Sequence, residues 1–218
     1  MRASISKRWL LVVPLLLLLA YCLTAGFSMM MADIYHKHVN YYFDYWAKGY
    51  KERQDHFSIP AHEMNIALAS ARKAREKQPD DPVQLLQLAT VYQWRPLLEA
   101  EGINPFGSLT AELDLIRQAV SLRPAWPYSW MALAGAKARY GQIDDEFNKA
   151  LVQAVTLGPW EADIMEKAGK LGKYYHSWLS PEAKIALQLN WDNFRRAYPG
   201  KARKIERDLG KKKASEAV

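Results

Sequence analysis

Cysteine is almost absent from this chain. Cys22 stands alone, so neither an intrachain disulfide nor a cysteine-based zinc cluster can form. The histidines lack the His-x-x-x-His and His-Glu-x-x-His spacings of helical metal sites. No serine lies in a Gly-x-Ser-x-Gly setting, and no glycine-rich phosphate loop is present. We therefore predict no catalytic residue, no metal site and no cofactor, and a protein that is not an enzyme.

Charge is missing from residues 9–32, which read WLLVVPLLLLLAYCLTAGFSMMMA. A helix of this length reaches ~36 Å, enough to cross a hydrocarbon core of ~30 Å. Arg2, Lys7 and Arg8 precede the run and Asp33 follows it, so the positive-inside rule places residues 1–8 in the cytoplasm. This predicts a single-pass protein of a bacterial inner membrane, anchored by 9–32, with the bulk of the chain periplasmic.

A cleaved signal peptide is the alternative for the same run. The end of the apolar run has no small-x-small cleavage site, because Leu23 stands two residues before Ala25 and Met30 stands two residues before Ala32. A retained anchor is therefore the favoured interpretation.

Aromatic side chains crowd the segment that follows, residues 33–57. Tyr and Trp favour the membrane–water interface, where the ring is semi-apolar and the polar group stays wet. We predict an interfacial collar together with the first contacts of the core here, with Tyr45 and Trp46 as candidate interaction residues. A platform on which sugar rings stack is the alternative.

Acidic residues are outnumbered, and the net charge of +7 with a pI near 9.3 favours anionic neighbours. Much of the excess lies in the C-terminal segment, residues 201–218, for which we predict a solvated, partly frayed basic tail. Contact of this tail with anionic lipid or an acidic polymer is the functional alternative. We predict membrane lipid and an anionic glycan as candidate partners, and no nucleic acid.

Prolines divide the middle of the chain at regular places. Pro79, Pro124 and Pro159 each follow an amphipathic segment, with a large apolar residue six positions later and an alanine five positions earlier. The repeat core predicted from this pattern is Leu85, Leu88, Ala89, Tyr92, Ala119, Pro124, Trp130, Leu133, Ala134, Gly141, Phe147, Leu151, Ala154 and Pro159. We expect Trp130 to be mostly buried between the helices of its own hairpin and the preceding one.

This pattern resembles the tetratricopeptide repeat, a helical hairpin in which small residues allow close helix approach and proline ends the second helix. The resemblance covers roughly residues 58–178. The surplus spacing between Pro79 and Pro124 falls in residues 93–108, for which we predict an inter-helix loop, with Ser108 as the N-cap of a helix over 109–122. The predicted fold is all-α, with one transmembrane helix followed by a short tetratricopeptide-like repeat domain over 58–200.

A capping helix should close the repeats. Ser180 is a good N-cap, with Pro181 at the first helical position. Ile185, Leu189 and Phe194 follow at helical spacing, as expected for a helix that packs on the last repeat.

Two phrases, RPAWPY at 123–128 and LGPWE at 157–161, resemble the VpsP family of membrane-anchored bacterial proteins of polysaccharide biosynthesis. This resemblance implies a process, exopolysaccharide assembly, and no reaction. Trp126, Tyr128 and Trp160 from these phrases are further candidate interaction residues.

Three functions follow as hypotheses. The favoured one is a non-enzymatic scaffold that binds other proteins of a polysaccharide synthesis or export machine. The alternatives are a periplasmic glycan-binding module and, third, a hydrolase or transferase.

Overall fold

The computed structural model describes the backbone of residues 3–97 and 105–216, and side chains within 12–54, 56–97 and 110–210. Helices, joined by short turns, make up this part of the chain, and it contains no strand. The helices are α1 (Ala3–Arg53), α2 (Ala61–Lys77), α3 (Pro82–Trp94), α4 (Pro105–Leu122), α5 (Pro127–Arg139), α6 (Asp145–Leu157), α7 (Ala162–Tyr174), α8 (Pro181–Ala197) and α9 (Pro199–Glu216). The predicted all-α fold, an apolar N-terminal helix followed by helical hairpins, is confirmed.

Two compact units divide the chain near the end of α3. The first holds α1, α2 and α3 up to Val91, and the second holds Tyr92–Pro96 and α4 to α9. Helices α2 and α3, predicted to open the repeat domain, thus associate with α1. The predicted limits of that domain, 58–200, stay a prediction.

The first unit is organised around α1. Ala32, Val39 and Trp46 recur every seventh residue on one face of α1 and are fully buried, the spacing at which a helix presents one stripe to a neighbour. Helix α2 packs on α1 in antiparallel register. Helix α3 is joined to α1 by Gln87, whose Nε2 donates to the carbonyl of His36 at 2.8 Å and to Oδ1 of Asn40 at 2.9 Å.

Helix α1 is long and apolar enough to cross a membrane, and none of the side chains in its most apolar window is buried. A signal sequence has these same properties. The retention of α1 in the membrane and its orientation are part of the proposed function.

In the aromatic segment, Trp46 supplies one of the contacts of the core. This ring is fully buried, and its Nε1 donates to Oε2 of Glu63 on α2 at 2.9 Å. Trp46 therefore belongs to the core of the first unit and is wrong as a surface interaction residue. Tyr45 is 50% exposed and keeps an outward position.

In the second unit, α5 with α6 and α7 with α8 form successive hairpins. Pro127 occupies the first turn of α5, where its missing N–H is not needed. Gly141 turns the chain with φ +67°, a conformation that other residues rarely adopt. Asp144 then caps α6 by accepting from the backbone N of Phe147 at 3.0 Å.

Most of the predicted repeat core lies inside the two units. Leu85, Leu88, Ala89, Ala119, Leu133, Ala134, Phe147, Leu151 and Ala154 are buried. Tyr92 and Trp130 are half-buried, whereas the turn residues Pro124, Gly141 and Pro159 are exposed. The Trp130 expectation is therefore wrong in degree: its Nε1 donates to the carbonyl of Pro124 at 2.7 Å, which keeps the ring at the edge of the core.

Helix α4 starts earlier than predicted. It begins at Pro105, so Ser108 lies inside the helix and is wrong as its N-cap. Proline serves as a first helical residue because its φ is preset and it needs no hydrogen-bond acceptor. Part of the predicted loop, residues 98–104, lies outside the described residues.

The C-terminal helices show one confirmed cap and two differences. Ser180 caps α8 by accepting from the backbone N of Ala183 at 3.2 Å, as predicted. Phe194 is buried, but Ile185 and Leu189 are 73% and 62% exposed, because Leu187 and Trp191 form the inward face. Most of the predicted frayed tail instead lies in helix α9, which buries Ala202 and Ile205 against Met165, Trp191 and Phe194.

Candidate interaction surface

The two sequence phrases at 123–128 and 157–161 meet where successive hairpins begin. A Cβ on Gly158 would lie 2.9 Å from Cβ of Pro127, so only glycine allows this contact. The hydroxyl of Tyr128 donates to Oε2 of Glu161 at 2.8 Å, which raises the pKa of Tyr128. The phrases therefore join the start of α5 to the turn before α7.

Trp126, Tyr128 and Trp160 form an aromatic corner at this junction. The rings of Trp126 and Tyr128 are 5.6 Å apart, and the guanidinium of Arg123 lies 5.4 Å from the Trp126 ring. Trp160 is 76% exposed, the largest exposed fraction among the large apolar side chains in the described part of the chain. The corner thus offers aromatic surface to solvent.

A groove of about 1070 Å³ follows the first helices of the hairpins. Its walls come from α5, α7 and α9, while the second helices α6 and α8 pack on each other. Helices that alternate in this way place all first helices on one side of a repeat array, where they form a continuous surface.

The floor of this groove is apolar and partly aromatic. Its uncharged lining residues are Met131, Gly135, Ala138, Leu171, Tyr174, Tyr175, Ile205 and Leu209. Tyr175 is fixed there, because its hydroxyl donates to the carbonyl of Ala138 at 2.9 Å and its ring meets Phe147 edge-on at 5.7 Å. An extended or helical segment could bury apolar side chains on this floor.

The rim is mainly cationic. Its charged residues are Arg139, Lys167, Lys170, Lys201, Lys204, Glu166 and Asp208. Glu166 forms ion pairs with Lys170 at 2.6 Å and with Lys201 at 3.7 Å, and these lysines hold the pKa of Glu166 below its usual value. Lys167 and Lys204 are exposed and have no ion-pair partner among the described residues. Two cations are therefore available to an acidic ligand.

Ion pairs hold the helices that carry the groove. Glu146 on α6 accepts from Arg117 of α4 at 2.8 Å and from Lys137 of α5 at 2.7 Å. The Arg117 hydrogen bond, followed by Lys137, lowers the pKa of Glu146 to about 2. Lys137 is buried and also meets Asp144 at 2.8 Å. This network joins three helices beside the α5–α6 turn.

Arg139 of the groove has a buried partner. Glu112 on α4 is almost fully buried and forms an ion pair with the Arg139 guanidinium. Burial raises the pKa of Glu112 despite the attraction of Arg139, because desolvation of the carboxylate outweighs the pair. Arg139 is thereby positioned at the rim with part of its charge already compensated.

The carboxylates and histidines of the described residues form no metal-ligand cluster. Within the described residues, no group of three His, Cys, Asp or Glu side chains could hold a metal ion. Asp144 and Glu146 are held by Lys137, and Glu161 is held by Tyr128.

Comparisons with known proteins assign the chain to no family. No protein family model matches it, and no curated protein matches it. The solved structures that match include "Crystal structure of MamA", 13% identical with a TM-score of 0.45, which covers 62% of this chain and 71% of that one. They also include "Crystal structure of MamA protein", 17% identical with a TM-score of 0.42, which covers 84% of this chain and 95% of that one. Likeness at this level carries no conclusion about partner or process.

The groove was missed by reasoning from the sequence. Its lining runs from Met131 to Leu209, so no local motif contains it. The signal was available in part, because Lys167 and Lys170 lie three residues apart on one predicted helix and Lys201 and Lys204 three apart in the basic segment. The resemblance to the VpsP family rests on the residues of the phrases at 123–128 and 157–161 alone.

Proposed function

We propose that this protein is a membrane-tethered, non-enzymatic scaffold whose α5/α7/α9 groove binds an acidic segment of a partner protein. The observation that carries the proposal is the groove itself, which combines an apolar floor with two cations, Lys167 and Lys204, that have no acidic partner among the described residues.

The chemistry of the groove favours a polypeptide ligand. Half-buried apolar side chains such as Leu171 and Leu209 suit a ligand that has apolar side chains of its own. Carboxylates on the same ligand would reach Lys167 and Lys204 at the rim. The ion pairs of Glu146 and Glu112 hold α4, α5 and α6, so the wall formed by α5 is preformed.

The proposed setting is a bacterial inner membrane, with α1 as a retained anchor, the N-terminus in the cytoplasm and both units in the periplasm. The basic residues before the apolar run support this orientation, and the missing cleavage site supports retention of the anchor. The proposed process is exopolysaccharide synthesis or export, supported by the phrases at 123–128 and 157–161.

A periplasmic glycan-binding module is the second candidate function. The aromatic corner favours it, because the 76% exposed ring of Trp160 offers a flat face on which a sugar could stack. Under this alternative, Trp160→Ala abolishes binding to the polymer and charge reversal in the groove does not.

The experiment is affinity purification of the full chain in mild detergent, followed by quantitative mass spectrometry. Three variants are compared with the wild type: Lys167→Glu, Lys204→Glu and Arg203→Glu. Arg203 neighbours Lys204 on α9 but does not line the groove, so it controls for the change in net charge. We expect the same partner to be lost from both lysine variants and kept by Arg203→Glu. Equal recovery from all three contradicts the proposal.

A further inference from the structure

The side chains of α1 change their environment partway along the apolar run. Residues 12–24 are all exposed, and Leu15 to Leu19 are each more than half exposed. From Ala25 onward, one face of the helix is covered, and Ala32 is fully buried. The covered part therefore begins inside the predicted span of 9–32.

The covering element at this level is the end of α2. The hydroxyl of Ser28 donates to the carbonyl of Lys77 at 3.0 Å, and the antiparallel register continues through Lys73, whose Nζ lies 5.6 Å from the ring of Tyr35. The turn between α2 and α3 follows Lys77 directly. Ser28 therefore lies beside a turn that carries exposed charges, Lys77 and Asp80 among them.

Exposed charges of this kind are expensive in hydrocarbon, where water cannot solvate them. The hydrocarbon must therefore end before Ser28. Residues 9–27 remain for the span and would reach ~28 Å as a helix, close to the ~30 Å thickness of a hydrocarbon core.

We infer that the turn between α2 and α3 sits on the lipid headgroups, so that the first unit is docked directly on the membrane surface. Lys77, which is exposed, then faces the phosphate layer, where long basic side chains extend toward anionic groups. Met29 and Met30, 60% and 51% exposed, lie at the same level of α1. The inference rests on anchoring by α1, which the proposed function includes.

The two ends of α2 provide a matched comparison. His62, at the start of the helix, is exposed and lies 15 residues before Lys77, a rise of ~22 Å along the axis. A probe near Lys77 should therefore report headgroups, while a probe at His62 should report water.

The experiment places a nitrobenzoxadiazole fluorophore on single cysteines in the full chain, with Cys22→Ser as background. Asp80→Cys, His62→Cys and Leu17→Cys are reconstituted in vesicles of equal parts phosphatidylcholine and phosphatidylglycerol. Quenching is measured with lipids that are spin-labelled at the headgroup or deep in the acyl chain. We expect headgroup quenching of the Asp80 probe at least severalfold stronger than that of the His62 probe, and acyl-chain quenching of the Leu17 probe.

Three results would overturn the inference. Equal, weak quenching at positions 80 and 62, with position 17 in the acyl chains, places the turn in water and leaves the anchor intact. Stronger acyl-chain than headgroup quenching at position 80 places the turn inside the hydrocarbon. An unquenched Leu17 probe shows that α1 is not inserted, which contradicts the membrane tether as well.

Discussion

Tyr128 at the start of α5 donates a hydrogen bond of 2.8 Å to Glu161, the residue that precedes α7. The bond joins two successive hairpins through residues that stand 33 positions apart in the sequence. It also gives the two phrases at 123–128 and 157–161 a structural role that is independent of any ligand.

The Tyr128–Glu161 pair predicts a measurable but modest coupling. Tyr128→Phe, Glu161→Gln and the double variant form a thermodynamic cycle, read from urea unfolding of the full chain in detergent. We expect a coupling energy of about 0.5–1 kcal/mol, because the bond is close to solvent. A coupling of zero within error would mean that the two residues do not join the hairpins.

Gly169 predicts a packing defect. A Cβ at this position would lie 2.4 Å from Cε3 of Trp191, a buried ring that cannot move aside easily. Gly169→Ala should lower the free energy of unfolding by about 1–3 kcal/mol. Gly200→Ala is the control, since nothing lies within 4 Å of the added Cβ. Equal stability of both variants would contradict the packing of α7 against α8.

Trp130 and Phe147 lie in the same hairpin but differ in burial. Phe147 is fully buried, so Phe147→Ala should cost about 3–5 kcal/mol. Trp130 is half-buried at the helix edge, so Trp130→Ala should cost less, about 1–2 kcal/mol. Denaturant unfolding measures both. A larger loss for Trp130 than for Phe147 would restore the original expectation of a buried ring.

Glu146 predicts a pH dependence with a definite sign. Its pKa is lowered to about 2 in the folded protein, so its ion pairs stabilise the fold above pH ~4.5 and are lost as the pH falls toward 2. Melting temperatures of the wild type and Glu146→Gln should differ by roughly 1–4 °C at pH 6–7. The gap should narrow as the pH falls through about 2.

Asp44 in the middle of α1 supplies the control, because it is exposed, lies far from both ends of its helix and forms no ion pair among the described residues. Asp44→Asn should therefore change the melting temperature at pH 6–7 less than Glu146→Gln does. A gap for Glu146→Gln that persists unchanged at pH 2 would rule out the proposed cause.

The hairpins were predictable because local chemistry fixes them. Pro127 favours the start of a helix and Gly141 favours a turn, whatever the tertiary arrangement. Phe147 and Leu151 lie four residues apart, which is helical spacing. Ser180 likewise caps α8 through atoms that are only three residues away.

Other features depended on partners distant in sequence. Trp46 looked like a membrane-interface residue, and its burial follows from Glu63 on another helix. The C-terminal segment looked solvated because it is rich in lysine and arginine, yet Ala202, Ile205 and the partly buried Leu209 pack α9 on the core of the second unit. The groove could not be predicted because its floor and rim assemble from three helices.

The most direct test of the groove is site-specific photocrosslinking in living cells. Benzoylphenylalanine is placed at Tyr174 in the groove, where it removes neither cation, at Trp160 in the aromatic corner and at Ile185 on the outward face of α8. We expect one discrete protein adduct from position 174, weakened when Lys204→Glu is added, and no such adduct from position 185. An adduct that forms from position 160 or 185 while position 174 gives none would contradict the assignment of the α5/α7/α9 groove as the partner-binding surface.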